Sequence, residues 1–236
     1  MKLTKSIIEH PRWGTIIVAR NARARRIILR SRPDGIHITA PTFATKGDIE
    51  RAIADCVPKL LQKHPQEELA TIDCNYSYEN GNFIFKVTEH DRNIFQLKHN
   101  GKNFTLLCPA GTDYYSTGMQ KWLHKTFTQA ISLRAKEMLP PRLKELAKEK
   151  GFTYNSCTVR NVHSRWGSCS TGGNISLSIS LILLPEELID YVLLHELCHT
   201  IEMNHSERFW ALMDKVTAPA KAKDLRKKLK GYRTLF

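Results

Sequence analysis

The sequence predicts an α+β protein in two parts: a β-rich N-terminal domain with one helix, residues 1–112, and a second domain of helices and a β-hairpin, residues 113–236. Three observations carry this. Short β-rich runs punctuated by Asn-Gly and Pro-Asp-Gly turns fill most of the first half. Near Gly111 the apolar period changes from two to that of a helix. A helix in the second half then carries HELCH, two histidines four residues apart.

The elements follow in order. WGTIIVARN and the two halves of RRIILRSRPDGIHITAP read as strands, the latter pair parted by a turn at 33–35. TKGDIERAIADCVPKLLQKH, residues 45–64, is helical, with Ile49, Ile53, Val57 and Leu60 on one face and Pro58 as a point of kinking. Asn-Gly pairs at 80–81 and 100–101 set hairpin turns between NYSYE, NFIFKVTE, IFQLKH and NFTLLCP. From residue 118 a helix runs to Pro140-Pro141, which should stop it, and a shorter helix reaches Gly151, suited to a left-handed C-terminal cap. CTVRNVHSRWG and NISLSISLILL form two strands around a turn at 170–173; the second places Ile175, Leu177, Ile179, Leu181 and Leu183 on one face. Pro185 opens the next helix at its first position. No repeat or low-complexity tract is visible in the sequence.

Composition limits the function classes. Hydrophobic residues make up 42% and charged residues 25% of the 236, the profile of a globular protein with a core. No apolar run reaches the length of a signal peptide or of a membrane span, so the expected location is the cytoplasm and no membrane partner is expected. The six cysteines form no CxxC pair and are expected to be reduced and mostly buried. The formal net charge of +13 gathers at Arg20, Arg23, Arg25, Arg26, Arg30 and Arg32 and again from Lys215 to Arg233. Such clusters favour anionic partners such as nucleic acid or nucleotides.

On a wheel with about 100° per residue, His199 lies about 40° from His195, and Glu196 flanks them at about 100°. Leu193, Leu194, Leu197, Cys198 and Ile201 occupy the opposite side. Two imidazoles at i and i+4 can share one ion, and the glutamate between them can act as general base on a water. A catalytic zinc needs a third protein ligand. Glu202 lies on the metal face of a continuous helix; His205 does so only if the chain turns near Met203-Asn204. Asn204 tolerates the left-handed conformation and Ser206 suits the start of a new helix over ERFWALMDKV, so His205 is preferred. In SRWGSC, Arg165 is a candidate to stabilise negative charge on a substrate, with Trp166 beside it. Cys198, Phe209, Trp210 and Met213 read as core, and His163 as an exposed strand residue.

SRWGSCS, GNISLSISLILLP and YVLLHELCHTIEMNHSERFW together resemble the YgjP-like metallopeptidase domain, a family related to the SprT-like and WLM zinc proteins. The resemblance implies a zincin-like second domain in which His195, His199 and His205 bind zinc and Glu196 is the catalytic carboxylate. It also implies that Arg165 and Trp166 shape the site. The His195-x3-His199-x5-His205 spacing is similar to that of metzincins too, but Glu202 replaces their glycine and no Met-turn follows. The expected activity is zinc-dependent peptide hydrolysis. Two other activities compete with it: a metal-dependent nucleoside triphosphate pyrophosphatase, and a nucleic-acid module with a structural metal.

Overall fold

A computed structural model describes residues 5–32, 35–63 and 70–234. The chain divides into two compact units, the first running to Ala70 and the second from Thr71.

In the first unit, strands β1 (Lys5–His10), β2 (Gly14–Arg20), β3 (Ile28–Arg32) and β4 (Gly35–Ala40) form a sheet in the order β1-β2-β4-β3. Helix α1 (Lys46–Lys63) follows and continues through Pro58. Ile16, Val18, Ile36 and Ile38 from alternate strand positions meet Ile49, Ile53 and Val57 of α1 in one apolar core. The helical spacing read from the sequence therefore holds for those three; the Leu60 side chain and turn residues 33 and 34 lie outside the described residues. β1 was not foreseen, because KSIIEH has no alternation of its own and forms a strand only by pairing antiparallel with β2.

The second unit begins with a sheet of the same order. Strands β5 (Ser77–Glu79), β6 (Ile84–His90), β7 (Gln96–Asn100) and β8 (Asn103–Pro109) run β5-β6-β8-β7, with the foreseen Asn-Gly turns closing both hairpins. Helix α2 (Thr117–Lys150) packs on this sheet. Its Phe127 ring lies 5.0 Å from Phe85, 5.7 Å from Tyr78, 5.9 Å from Phe83 and 5.9 Å from Tyr76. This aromatic cluster places residues 71–112 with the helical half. The expected boundary at 112 is thus corrected to Ala70–Thr71: the change of period at Gly111 marks a change of element inside one core.

α2 also corrects the expected stop at Pro140-Pro141. It is one helix of 34 residues with both prolines inside, ending at Gly151 in the left-handed conformation. Leu139 and Leu143, both fully buried, clamp the axis on either side of the prolines. Burial of that apolar face outweighs the two missing N–H donors.

The third sheet contains β9 (Ser156–Arg160), β10 (Gly167–Cys169) and β11 (Asn174–Ser178) in the order β10-β11-β9. CTVRNVHSRWG is therefore two strands separated by residues 161–166. The end of NISLSISLILL is not strand: Ile179–Leu183 is a 3-10 helix whose start is held by Ser178 Oγ accepting from Ser180 N. Ile179, Leu181 and Ile182 are all buried there, so burial from several sides removes the need for strand alternation. One arrangement recurs in all three sheets. A strand is followed by a hairpin whose second strand joins it in parallel: β2 with β4, β6 with β8, β9 with β11. The sequence shows no repeat, yet the topology does.

Helix α3 (Glu186–Cys198) follows, with Pro185 at the N-cap, one position earlier than expected. Its placement is fixed from several directions. Asn80 and Asn82 donate to the carbonyls of Ile182 and Leu184 just before it, both at 3.0 Å. Arg142 of α2 makes a two-pronged pair with Asp190, at 2.8 and 2.5 Å. Helices α4 (Glu207–Thr217) and α5 (Ala222–Leu229) complete the unit, and Lys228 ties α5 to Glu187 of α3 at 2.9 Å. All six thiols are free, but only Cys108 and Cys198 are buried, fewer than expected; Cys56 is exposed and the other three are half-buried. Among the described residues no helix is long and apolar enough to cross a membrane.

Replacing Arg142 by Ala leaves the half-buried Asp190 unpaired and should lower stability by about 1–2 kcal/mol. Urea denaturation of Arg142→Ala, Asp190→Ala and the double variant measures the coupling; additive losses would show that the pair does not hold α3.

Candidate metal centre

α3 is apolar nearly all round, with Leu188, Ile189, Val192, Leu193, Leu194, Leu197 and Cys198 buried. It ends at Cys198, and His199 is its C-cap. The Thr200 hydroxyl donates to the Leu197 carbonyl at 2.7 Å, taking an acceptor at the last turn. The helix thus ends about one turn before the expected break at Met203-Asn204. As a result Ile201, expected on the apolar face, is 61% exposed. The restart is as foreseen: Ser206 Oγ accepts from Phe209 N at 3.4 Å and begins α4.

This break brings His205 back over α3. His205 Nε2 lies 3.1 Å from His195 Nε2, and His199 Nε2 lies 3.2 Å from the same atom. The three rings form a group whose ligand atoms all lie within 4.8 Å of one another. Tetrahedral coordination by imidazole at about 2.0–2.1 Å sets nitrogens about 3.4 Å apart, close to the two spacings from His195. The tautomers fit as well. His199 Nδ1 is 3.0 Å from the Glu202 carbonyl, an acceptor, so this nitrogen carries the proton and Nε2 presents its lone pair. Glu202 therefore enters the site through its main chain, orienting His199 as an outer partner. The carboxylate of Glu202 is not part of the group.

Burial pushes the His195 imidazole down to about 3, helped by His199, His205 and Arg226. The His205 ring is lowered as well, by burial first and then by His199 and Arg226. Neutral imidazole is the form that binds metal. Phe209, which the sequence placed in the core, is fully buried and also floors the centre. Its ring is 4.9, 4.6 and 4.8 Å from those of His195, His199 and His205. The Trp210 ring lies 5.8 Å from that of His205, and the Arg226 guanidinium stands 5.1 Å over the Trp210 ring. Neither role of Phe209 nor that of Arg226 was read from the sequence, since both depend on how α4 and α5 fold back.

Glu196 is buried, and burial raises its carboxyl to about 7 against the opposing pull of Arg165. Its Oε2 has no protein partner among the described residues. It lies against β10: a Cβ added to Gly167 would be 2.6 Å from Glu196 Oε1 and 2.8 Å from Cγ. This gives SRWGSC a physical reason. The glycine is there because the glutamate of the next helix occupies the volume of a side chain. Arg165 is exposed and close enough to act on Glu196 electrostatically, while Trp166 is half-buried and packs against the apolar core. Both precede β10 instead of alternating along a strand. His163 is exposed, as expected, but lies in a bend. In the first unit, Arg20 is spent on structure, donating to the carbonyls of Thr42 and Ala44 at 3.1 and 2.7 Å.

Three imidazoles converging beside a buried carboxylate define a candidate centre for a divalent metal. Residues 25–232 match the YgjP-like metallopeptidase domain, and the chain belongs to that family. Membership makes it a hydrolase at the family level and implies a divalent metal. Among solved structures it is similar to the metallopeptidase zymogen of Pyrococcus abyssi abylysin, at 25% identity over 42% of this chain and 100% of that chain, with a TM-score of 0.37. A comparison with curated proteins found no match.

His205→Ala should lose bound metal when the purified protein is assayed by elemental analysis, whereas Glu202→Gln should keep it. Metal retained in the first variant and lost in the second would make Glu202 the third ligand.

Proposed function

We propose that this protein is a zinc-dependent peptidase in which His195, His199 and His205 hold the ion and Glu196 is the general base. One observation carries the reading: the ligand atoms of three histidines lie within 4.8 Å of one another while the neighbouring carboxylate of Glu196 is held against Gly167. Zinc held by three such ligands lowers the pKa of a water and polarises a carbonyl.

The protein's own groups do the rest. Glu196 accepts a proton from the attacking water and passes it to the departing amine. The absence of a Cβ at Gly167 lets that carboxylate lie close to the strand, and Phe209 keeps the three rings in one orientation. Arg165, exposed beside Glu196, stabilises negative charge that develops on the substrate. Trp166 anchors this stretch: its carbonyl accepts from Ser178 N at 2.8 Å. β10 is an edge strand, so one side of its main chain is available to align an extended peptide.

Glu196→Gln should retain metal and lose turnover of peptide substrates by about a thousandfold or more. A screen of peptides and nucleoside triphosphates, with and without chelator, checks it. Chelator-sensitive cleavage of triphosphates alone would replace the peptidase reading with the pyrophosphatase one. Gly167→Ala should also retain metal while lowering kcat roughly a hundredfold, because it displaces the carboxylate by about an ångström. Unchanged kcat in this variant would show that the close approach has no catalytic role.

A further inference from the structure

The sheet β10-β11-β9 has one face on the core and one facing outward. Ile175 and Leu177 of β11 are buried on the core side, paired with Cys169 and Gly167. On the other side the register sets Ser168, Ser176 and Thr158 in a row across all three strands. Among the described residues none of these three hydroxyls has a protein hydrogen-bond partner. The next position along β9 and β11 pairs Arg160 with Ser178, whose N–H bonds the Trp166 carbonyl, one residue from Arg165. A groove of about 660 Å³ follows this face. Arg160 and Arg165 both line it, both are exposed, and no carboxylate lines it. Neither guanidinium is in an ion pair or a side-chain hydrogen bond among the described residues. A groove lined by two exposed cations outside any ion pair and by donor hydroxyls, with no acid among its lining residues, is complementary to an anion.

The groove also contains Gly167, against which Glu196 is packed. Glu196 packs against Gly167 from the core side, so the groove and the catalytic centre proposed above lie on opposite faces of the edge strand β10. We infer that this groove is a specificity surface for an acidic peptide segment, whose carboxylates pair with Arg160 and Arg165 and accept from Thr158, Ser168 and Ser176. The inference rests on the peptidase reading for its choice of a peptide over another polyanion. A chain paired along β10 projects alternate side chains to one face, which lets an acidic residue reach this row while the scissile bond lies beside Glu196.

The test uses the full-length, metal-loaded protein and fluorescence anisotropy with three labelled probes: a short Asp/Glu-rich peptide, a neutral peptide of the same length, and a single-stranded oligonucleotide. The acidic peptide should bind more tightly than the neutral one. Arg160→Ala should raise its Kd about tenfold, the loss of one charge-assisted hydrogen-bonded pair, and leave the neutral peptide unaffected. Arg160→Gln, which keeps much of the side chain's length, should behave like Arg160→Ala. Arg25→Ala in the first unit should change nothing beyond a general charge effect. Equal binding of the two peptides, or equal losses in Arg160→Ala and Arg25→Ala, would overturn the inference. Tighter binding of the oligonucleotide, lost in Arg160→Ala, would overturn it in favour of nucleic acid. Mass spectrometry of the same mixtures separates the two readings. Charge-dependent binding without cleavage of any peptide rejects the peptidase and keeps the acidic-segment surface. Cleavage of acidic and neutral peptides with equal kcat/KM does the reverse.

Discussion

The convergence of His195, His199 and His205 over Phe209 is the constraint on which the second unit depends. It requires α3 to stop at Cys198 and α4 to start after Ser206, so that a residue ten positions from His195 returns to within 3.1 Å of it. Such a geometry is useful only if α3 itself does not move. The Arg142–Asp190 pair, the Asn80 and Asn82 amides on the preceding 3-10 helix, and the Lys228–Glu187 bridge each hold it from a different element. The long α2 helix is the common support, because it packs against the 3-10 helix, α3 and β9.

Low polarity around the centre acts on its groups in opposite directions. It keeps His195 neutral and able to ligate, and it raises the carboxyl of Glu196. Both follow from one cause, the cost of a charge removed from water. The paired outcome suits the proposed chemistry: lone pairs stay available on His195, and the buried carboxyl of Glu196 holds a proton more readily than one in water. Gly167 completes the arrangement sterically, by leaving empty the volume that the carboxylate fills.

Much of the fold was legible because it is local. The Asn100-Gly101 turn fixes its hairpin through the positive φ of Gly101, the Asn80-Gly81 turn through the Asn80 side chain accepting from Asn82 N and Phe83 N, and Gly151 and Ser206 mark helix ends through their own backbone and side-chain chemistry. What was misread depends on burial from elsewhere in the chain. The Pro140-Pro141 stop yielded to Leu139 and Leu143 in the core; the strand over Ile179–Leu183 yielded to burial on several sides; and KSIIEH became a strand only by pairing with β2. The domain boundary at 112 failed for the same reason, since Phe127 is bound to Phe83 and Phe85 by packing that crosses the change in period.

The sequence by itself determined the pair His195 and His199 with Glu196 between them, because helical spacing alone puts i and i+4 on one face. It also made His205 conditional on a turn, and it marked Arg165 and Trp166 without assigning them a direction. Only the tertiary structure decided that the turn comes early enough for His205 to reach the pair, that Glu202 contributes its carbonyl and not its carboxylate, and that Gly167 is where Glu196 lies. Each of these is a contact between segments whose distance is set by packing of α3 on α2 and β10, and no local rule of the chain specifies it.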